Sequence, residues 1–310
     1  AKVPAHHDLD VADNGEVYVL DARVMKLKQG KRERLFLDNG VVVLSPDGKE
    51  KRRYSLFELL SKAPRTRELM AGAVRDGMKI YDEALNSGYE VAAKMAPALN
   101  LSLMATQLRM ILNGKFDGSR RTRLMFLTGL YPIDRHHANS LEIIREDAPD
   151  GMWKAGDLLI SLRTPNMVVV VDLKAGKVRW LWGPGELLRQ HQPTMVKGSR
   201  VLLFDNGEES RGSRILEVDP RKDEIVWRYK GEKPADFFSI IRGGVQRLAN
   251  GNTLITDSES GRALEVTSAG KKVWEYYNPD VSVVAIVLLR APIYRLTRIP
   301  GEMFEERLSR

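Results

Sequence analysis

Residues 190–231 read QHQPTMVKGSRVLLFDNGEESRGSRILEVDPRKDEIVWRYKG. Four short runs rich in Val, Ile, Leu, Phe, Trp or Tyr stand out: His191–Val196, Arg200–Asp205, Arg214–Asp219 and Glu224–Tyr229. The gaps between them carry Gly, Asn, Asp, Ser or Pro, residues that end ladders and make turns. The stretch therefore predicts four antiparallel strands joined by tight connections.

The same unit is written three more times. Residues 243–278 give GGVQRL, NTLITDS, RALEVTS and KVWEYYN; residues 137–182 give HANSLEI, DLLISLR, MVVVVDL and KVRWLW; residues 7–54 give HDLDV, EVYVLDA, GVVVLSP and KEKRRY. Recurrence of a four-strand unit of roughly forty to fifty residues points to the blades of a β-propeller. The fold class expected is thus all-β, with four visible blades. The first strand of a blade lines the central channel, so the residue that opens each unit should stand at the same mouth. Those openers are His7, His137, His191 and then Gly243. The chain holds only five histidines, His6, His7, His136, His137 and His191, and all lie in or beside this register. Three imidazoles are expected to converge in the channel.

At 310 residues the chain suits one large domain. Its net charge of +8 would suit an anionic small substrate, an anionic membrane surface or nucleic acid. No helix-turn-helix, RNA-binding or zinc-finger pattern is present, which argues against nucleic acid. The absence of cysteine excludes disulfides, thiolate metal sites and thiol catalysis. No run approaches the roughly 18 apolar residues of a bilayer span. Residue 1 falls just before a first strand, with no capping segment. A longer chain is expected, with a signal or anchor helix and one or two further blades ahead of residue 1, in a periplasmic or other extracytoplasmic setting.

Residues 56–130 break the alternation. Apolar residues recur at three- and four-residue spacing over 68–84, 88–99 and 101–112, with breaks at Pro64, Gly88, Pro97 and Gly114. This predicts a helical insertion between two blades. It is either a packed cap or a basic, Met-rich surface for a membrane or a partner protein. Residues 26–34 read as a charged loop, and the prolyl turn at Pro46–Gly48 as a hairpin. Trp180, Trp182, Trp227 and Trp274, near the fourth strands, read as packing residues. Asp205-Asn206-Gly207 and Asn250-Gly251-Asn252 read as turns, not metal loops. Residues 281–310 read as a tail across the outside or bottom of the propeller.

HHDLDV, DRHHANSLE, GDLLISLR, RQHQP with LLFDNG, and QRLANGNTLITDSESGRALEVTSAGKKVWEY together resemble the arylsulfotransferase family, over nearly the whole chain outside the insertion. The resemblance implies a six-bladed, quinoprotein-like propeller. It also implies PAPS-independent transfer of sulfate from an aryl sulfate to a phenol through a sulfohistidine, with an anionic aromatic small molecule as substrate and no cofactor. By motif, it implies His191 as nucleophile, His137 as a second channel histidine with Asn139 beside it, Arg163 as the sulfate-binding cation, and His7 or His6 as the remaining histidine.

The residue types suit that chemistry. Neutral imidazole is a competent nucleophile, and two successive displacements give ping-pong kinetics. An arginine fork matches an oxyanion. A protonated His137 or His7 would neutralise sulfuryl oxygens and protonate the leaving phenol. Two readings compete: a non-catalytic propeller binding protein partners through its rim or its helical insertion, and a three-histidine zinc or copper site. For single residues the plain alternatives are a seam hydrogen bond for His7 and a salt bridge within the blade for Arg163.

Overall fold

The computed structural model describes residues 5–29, 32–69, 133–134, 136–284 and 287–299. Within them lie four antiparallel sheets whose strands follow chain order. The first blade is β1 (Ala5–Val11), β2 (Val17–Gln29), β3 (Arg32–Leu44) and β4 (Glu50–Ser55), followed by helix α1 (Leu56–Lys62). A two-residue strand, β5 (Ile133–Asp134), adds to it parallel to β3. The second blade is β6 (Ala138–Ile143), β7 (Leu158–Leu162), β8 (Met167–Asp172) and β9 (Lys177–Trp182). The third is β10 (His191–Val196), β11 (Arg200–Glu208), β12 (Gly212–Asp219) and β13 (Glu224–Lys230). The fourth is β14 (Gly244–Arg247), β15 (Thr253–Asp257), β16 (Arg262–Val266) and β17 (Lys272–Tyr277). A hairpin, β18 (Val281–Val284) with β19 (Val287–Arg290), follows. The all-β propeller architecture expected from the repeats is the one observed, with four blades among the described residues.

Burial follows the position of a strand in its blade. The middle strands β7 and β8 are almost wholly buried, and their sequences, LLISL and MVVVVD, are continuous apolar runs. The outer strand β13 alternates exposed and half-buried residues, as a sheet edge with one wet face should. The inner strands β1, β6, β10 and β14 pack side by side in that order. Side chains knit the seams: the Asp10 carboxylate accepts from the Ile143 N–H at 2.8 Å, Glu142 from Met195 at 3.0 Å and Gln192 from Val245 at 3.0 Å. At the rim, the Trp180 and Trp182 indoles donate to Asp223 of the next blade, and Trp227 donates to the Ser268 carbonyl of the one after. Trp180 and Trp182 are packing residues as expected. Trp274 is not buried: 39 % exposed, it stacks on Tyr276 with Arg298 over its face.

Three local expectations are corrected. Residues 26–29 and 32–34 lie in strands, not in a loop. β2 and β3 pair from Val17↔Leu44 out to Gln29↔Arg32, so charged residues extend the hairpin beyond the blade. Asp205 and Asn206 lie inside β11 rather than in a turn, because the ladder runs to Asp205↔Arg214 and resumes at Glu208↔Gly212. The tail from 291 to 299 crosses the channel side. Leu296 N–H donates to Thr256 Oγ1, Arg298 N–H to Gln246 Oε1, and Arg295 pairs with Asp8 of the first blade.

α1 is a short helix capped by Ser55, whose hydroxyl accepts from Glu58 N–H. Residues 64–69 are helical as well, and the remainder of the expected insertion, with its membrane or partner surface, lies outside the described residues. Leu56, Leu59 and Leu60 are buried in the same core as Leu20, Val41, Leu158 and Val169. The first turns after β4 therefore belong to the propeller body. No helix among the described residues is long and apolar enough to cross a membrane. Leu60→Ala should cost about 2–5 kcal/mol of stability, read as a drop in denaturant midpoint, whereas Val226→Ala on the exposed rim should change it by less than about 0.5 kcal/mol.

Candidate active site

The openers of three blades sit on irregular backbone. His7, His137 and Gln192 have φ of 64°, 46° and 43°, left-handed values that non-glycine residues rarely adopt. His7 and Gln192 lie within register shifts of their inner strands, between Ala5 and Leu9 and between His191 and Thr194, and His137 directly precedes the shift at Ala138–Ser140. A bulge of this kind re-aims a side chain away from the ladder. The His7 and His137 rings meet with centroids 5.0 Å apart, and His6 lies edge-on to His7 at 4.8 Å.

His191 is 8 % exposed. Its Nδ1 lies 2.7 Å from Asn206 Oδ1 and 3.0 Å from the Arg189 carbonyl oxygen. Asn206 is oriented by its own amide nitrogen, which donates to the carbonyls of Ser239 and Arg242, both at 2.6 Å. Both neighbours of Nδ1 are thus acceptors, so Nδ1 carries the proton and Nε2 keeps its lone pair. Burial pushes the His191 pKa down to about 3; the Asn206 bond opposes it, and the charge of Arg163 and the neighbouring His137 and His7 add to the lowering. The side chain is a neutral imidazole at any physiological pH.

His137 is built differently. Asp134, delivered by β5, accepts from the His137 N–H at 2.9 Å and lies 2.7 Å from its Nδ1. Burial works to raise the Asp134 carboxyl, but the bonds from His137 outweigh it and hold the group below the usual carboxylate range. An ionised Asp134 fixes Nδ1–H on His137 and offers an ion-pair partner whenever Nε2 takes a proton. His7 has no such partner: burial and the adjacent His137 and His6 lower it to about 4. Of the two proton donors considered from sequence, the geometry favours His137.

Arg163 follows β7 and is half-buried. Among the described residues its guanidinium makes no hydrogen bond or ion pair, so the salt-bridge alternative does not hold. Its charge bears on His191 and His7, while burial and the nearby Arg189 lower its own pKa. Elsewhere the blades neutralise such cations, as Asp205 does for Arg214 and Asp257 for Arg262. Asn139 has a supporting part: its Nδ2 donates to the Gln190 carbonyl at 2.8 Å, while its buried Oδ1 has no partner. Gln190, fully buried and bonded to Ser161, Leu162 and Met167, anchors the chain just before His191. His6 lies with His7 along a shallow hollow of about 240 Å³ beside β1, and its Nε2 is unpartnered. His136 is buried against Phe57.

His191 lines a cavity of about 10 Å³ with Asn139, Gln192, Arg242, Gly243, Tyr294 and Arg295. The larger groove, about 500 Å³, runs past Met195, Glu217 and Arg247 at the far ends of β10 and β14 and holds no histidine. Among the described residues no group of three or more His, Asp or Glu is placed to hold a metal ion.

Family models for arylsulfotransferase (ASST) match residues 2–190 and residues 113–279. The chain belongs to the arylsulfotransferase family. No curated protein matches it. Solved structures similar to this arylsulfotransferase-family chain include the virginiamycin B lyase of Staphylococcus aureus, at 10 % identity over 89 % of this chain and 56 % of that one, with a TM-score of 0.42. They also include a streptogramin B lyase, at 10 % identity, 90 % and 57 % coverage and a TM-score of 0.44. The hydrazine synthase of Kuenenia stuttgartiensis aligns over 44 % of this chain and 35 % of that one, at 18 % identity and a TM-score of 0.31. The chain spans a little over half the length of the two lyase structures.

Sequence reasoning missed Asp134, Asn206, Arg189 and the tail residues Tyr294 and Arg295. Asp134 was within reach, since it stands three residues before His137 in DRHH.

The depressed pKa of His191 carries a stability signature. Between its unfolded value near 6.5 and its folded value near 3, only the unfolded chain binds the proton, so stability is complete above pH 6.5 and falls as pH drops. Wild type should lose up to about 1.4 kcal/mol per pH unit from this group between pH 6.5 and 5. Denaturant midpoints of His191→Asn should vary less steeply with pH over that interval.

Proposed function

We propose that the chain transfers sulfate from an aryl sulfate to a phenol through a sulfohistidine at His191, without a nucleotide sulfate donor. One observation carries the reading: a neutral imidazole with a free Nε2 lone pair feels the charge of a guanidinium that has no anionic partner among the described residues. Family membership supports it.

In the first half-reaction His191 Nε2 attacks the sulfur, an N–S bond forms and the aryl S–O bond breaks. The leaving phenolate takes a proton from His137, whose charge Asp134 offsets. Arg163 neutralises the sulfuryl oxygens as charge shifts among them, with Arg189 adding to the local field. In the second half-reaction an acceptor phenol gives its proton to His137, attacks the sulfur, and the N–S electron pair returns to Nε2. The left-handed backbone at His7, His137 and Gln192 is then the strain that a preorganised site retains.

With a chromogenic aryl sulfate and a phenol, wild type should release the donor phenolate with ping-pong kinetics. His191→Asn should abolish release, and His137→Asn should lower kcat by about 10²–10⁴-fold. Arg163→Met should lower kcat/KM, while burial, the largest cause of the depressed His191 pKa, keeps most of the pH dependence of stability in place. No release from several donors by wild type would overturn the reading.

A further inference from the structure

We propose that Tyr294 is an internal sulfate acceptor, so that the chain forms a sulfate ester on its own tail. The proposal rests on the sulfohistidine reading of His191.

The tail is held over the channel by bonds to the fourth and the first blades. On the fourth blade, Ile293 N–H donates to the Ser258 carbonyl, Leu296 N–H to Thr256 Oγ1 at 3.0 Å, and Arg298 exchanges two bonds with the Gln246 amide, at 2.8 and 3.1 Å. On the first blade, Arg295 grips both oxygens of Asp8, at 3.1 and 3.0 Å. Tyr294 lies between these anchors. Its hydroxyl donates to the His7 carbonyl oxygen at 3.2 Å, and its side chain lines the cavity that His191 also lines.

That cavity holds about 10 Å³, the space of a single water and far less than a phenol. With the tail in place neither an aryl sulfate nor a free phenol enters; the donor therefore loads His191 with the tail lifted, and the returning tail brings the protein's own phenol to the pocket first. Tethering matters for rate: a nucleophile fixed beside its electrophile reacts at an effective concentration no free phenol reaches. Arg242, paired with Glu259, and Arg295, paired with Asp8, line the same cavity.

The step balances without another reagent. An aryl sulfate first converts His191 to its N-sulfo form and leaves as a phenol. Tyr294 Oη then attacks the sulfur, the O–S bond forms, the N–S pair returns to His191 Nε2, and the phenolic proton passes to water at this half-exposed side chain. The product is itself an aryl sulfate. It can return sulfate to His191 when another phenol arrives, which makes the tail a store between donor and acceptor.

The test uses the whole chain and 4-nitrophenyl sulfate with no added phenol. Trypsin releases residues 291–295 as APIYR, because Arg290 and Arg295 flank it. Wild type should show this peptide heavier by one SO₃, with a nitrophenolate burst exceeding one per chain, and adding a free phenol should strip the label. His191→Asn should give neither label nor burst. A burst with unmodified APIYR overturns this proposal and leaves the sulfohistidine reading standing. Labelled APIYR in His191→Asn also overturns it, because the ester would then form without the nucleophile. Absence of any burst in wild type removes the sulfohistidine reading itself.

Discussion

Half of the N–H groups of an inner strand face away from their own blade, and in a channel wall they have no ladder partner. This chain satisfies them with side chains lent by the preceding blade. Asp8 and Asp10 serve Leu141 and Ile143, Glu142 serves Met195, Gln192 serves Val245, and Gln246 serves Arg298 of the tail. Each bond is worth about 1 kcal/mol net, and more if its loss leaves a buried donor unpaired. Together they fix the spacing of the inner strands and therefore the distance between the loops that open them. The last in the series places the tail where a following inner strand would lie. Burial lifts the Glu142 carboxyl to about 7, yet its oxygen still accepts from Met195.

On that frame two histidines of the same type become different reagents through one neighbour each. An amide oxygen, itself turned by two carbonyls, leaves His191 neutral with one free lone pair. A carboxylate on a strand of two residues backs His137. The neighbours decide the chemistry because imidazole takes its tautomer and its charge from what its Nδ1 meets. Arg163 completes the set because, among the described residues, it lacks the paired aspartate that Arg214 and Arg262 have. Where the segments VLDA, LFDN and ITDS carry an acid, the matching segment of the second blade reads ISLR, with Leu162 in that place.

The blades were legible because alternation and turn residues are local signals, and four copies reinforce one another. The histidine register was legible for the same reason, since five histidines in a chain of 310 leave little room for accident. What escaped depended on contacts distant in sequence. Asp134 reaches His137 only because β5 joins β3 nearly a hundred residues back, with Asn39 bonded to Ala138 alongside. The tail path is set by Tyr294 meeting His7 at the opposite end of the chain. Asn206 was hidden by its own company: Asp-Asn-Gly is turn chemistry in most settings, and here a register shift in β11 absorbs it. The charged run at 26–34 looked like a loop because Lys and Arg are poor strand formers. Its cross-strand pairing overrides that preference.

His7 and His137 stand outside the regular hydrogen-bonded pairing of their strands, at or beside a register shift. Their side chains can consequently change identity without disturbing the sheet beneath. The fourth blade is the exception: it begins at Gly243, where the Phe204 ring fills the space a side chain would take, so that place is closed to other residues. The architecture thus separates what must stay constant from what can vary, and the mouths of the first two blades become sockets for evolutionary substitution.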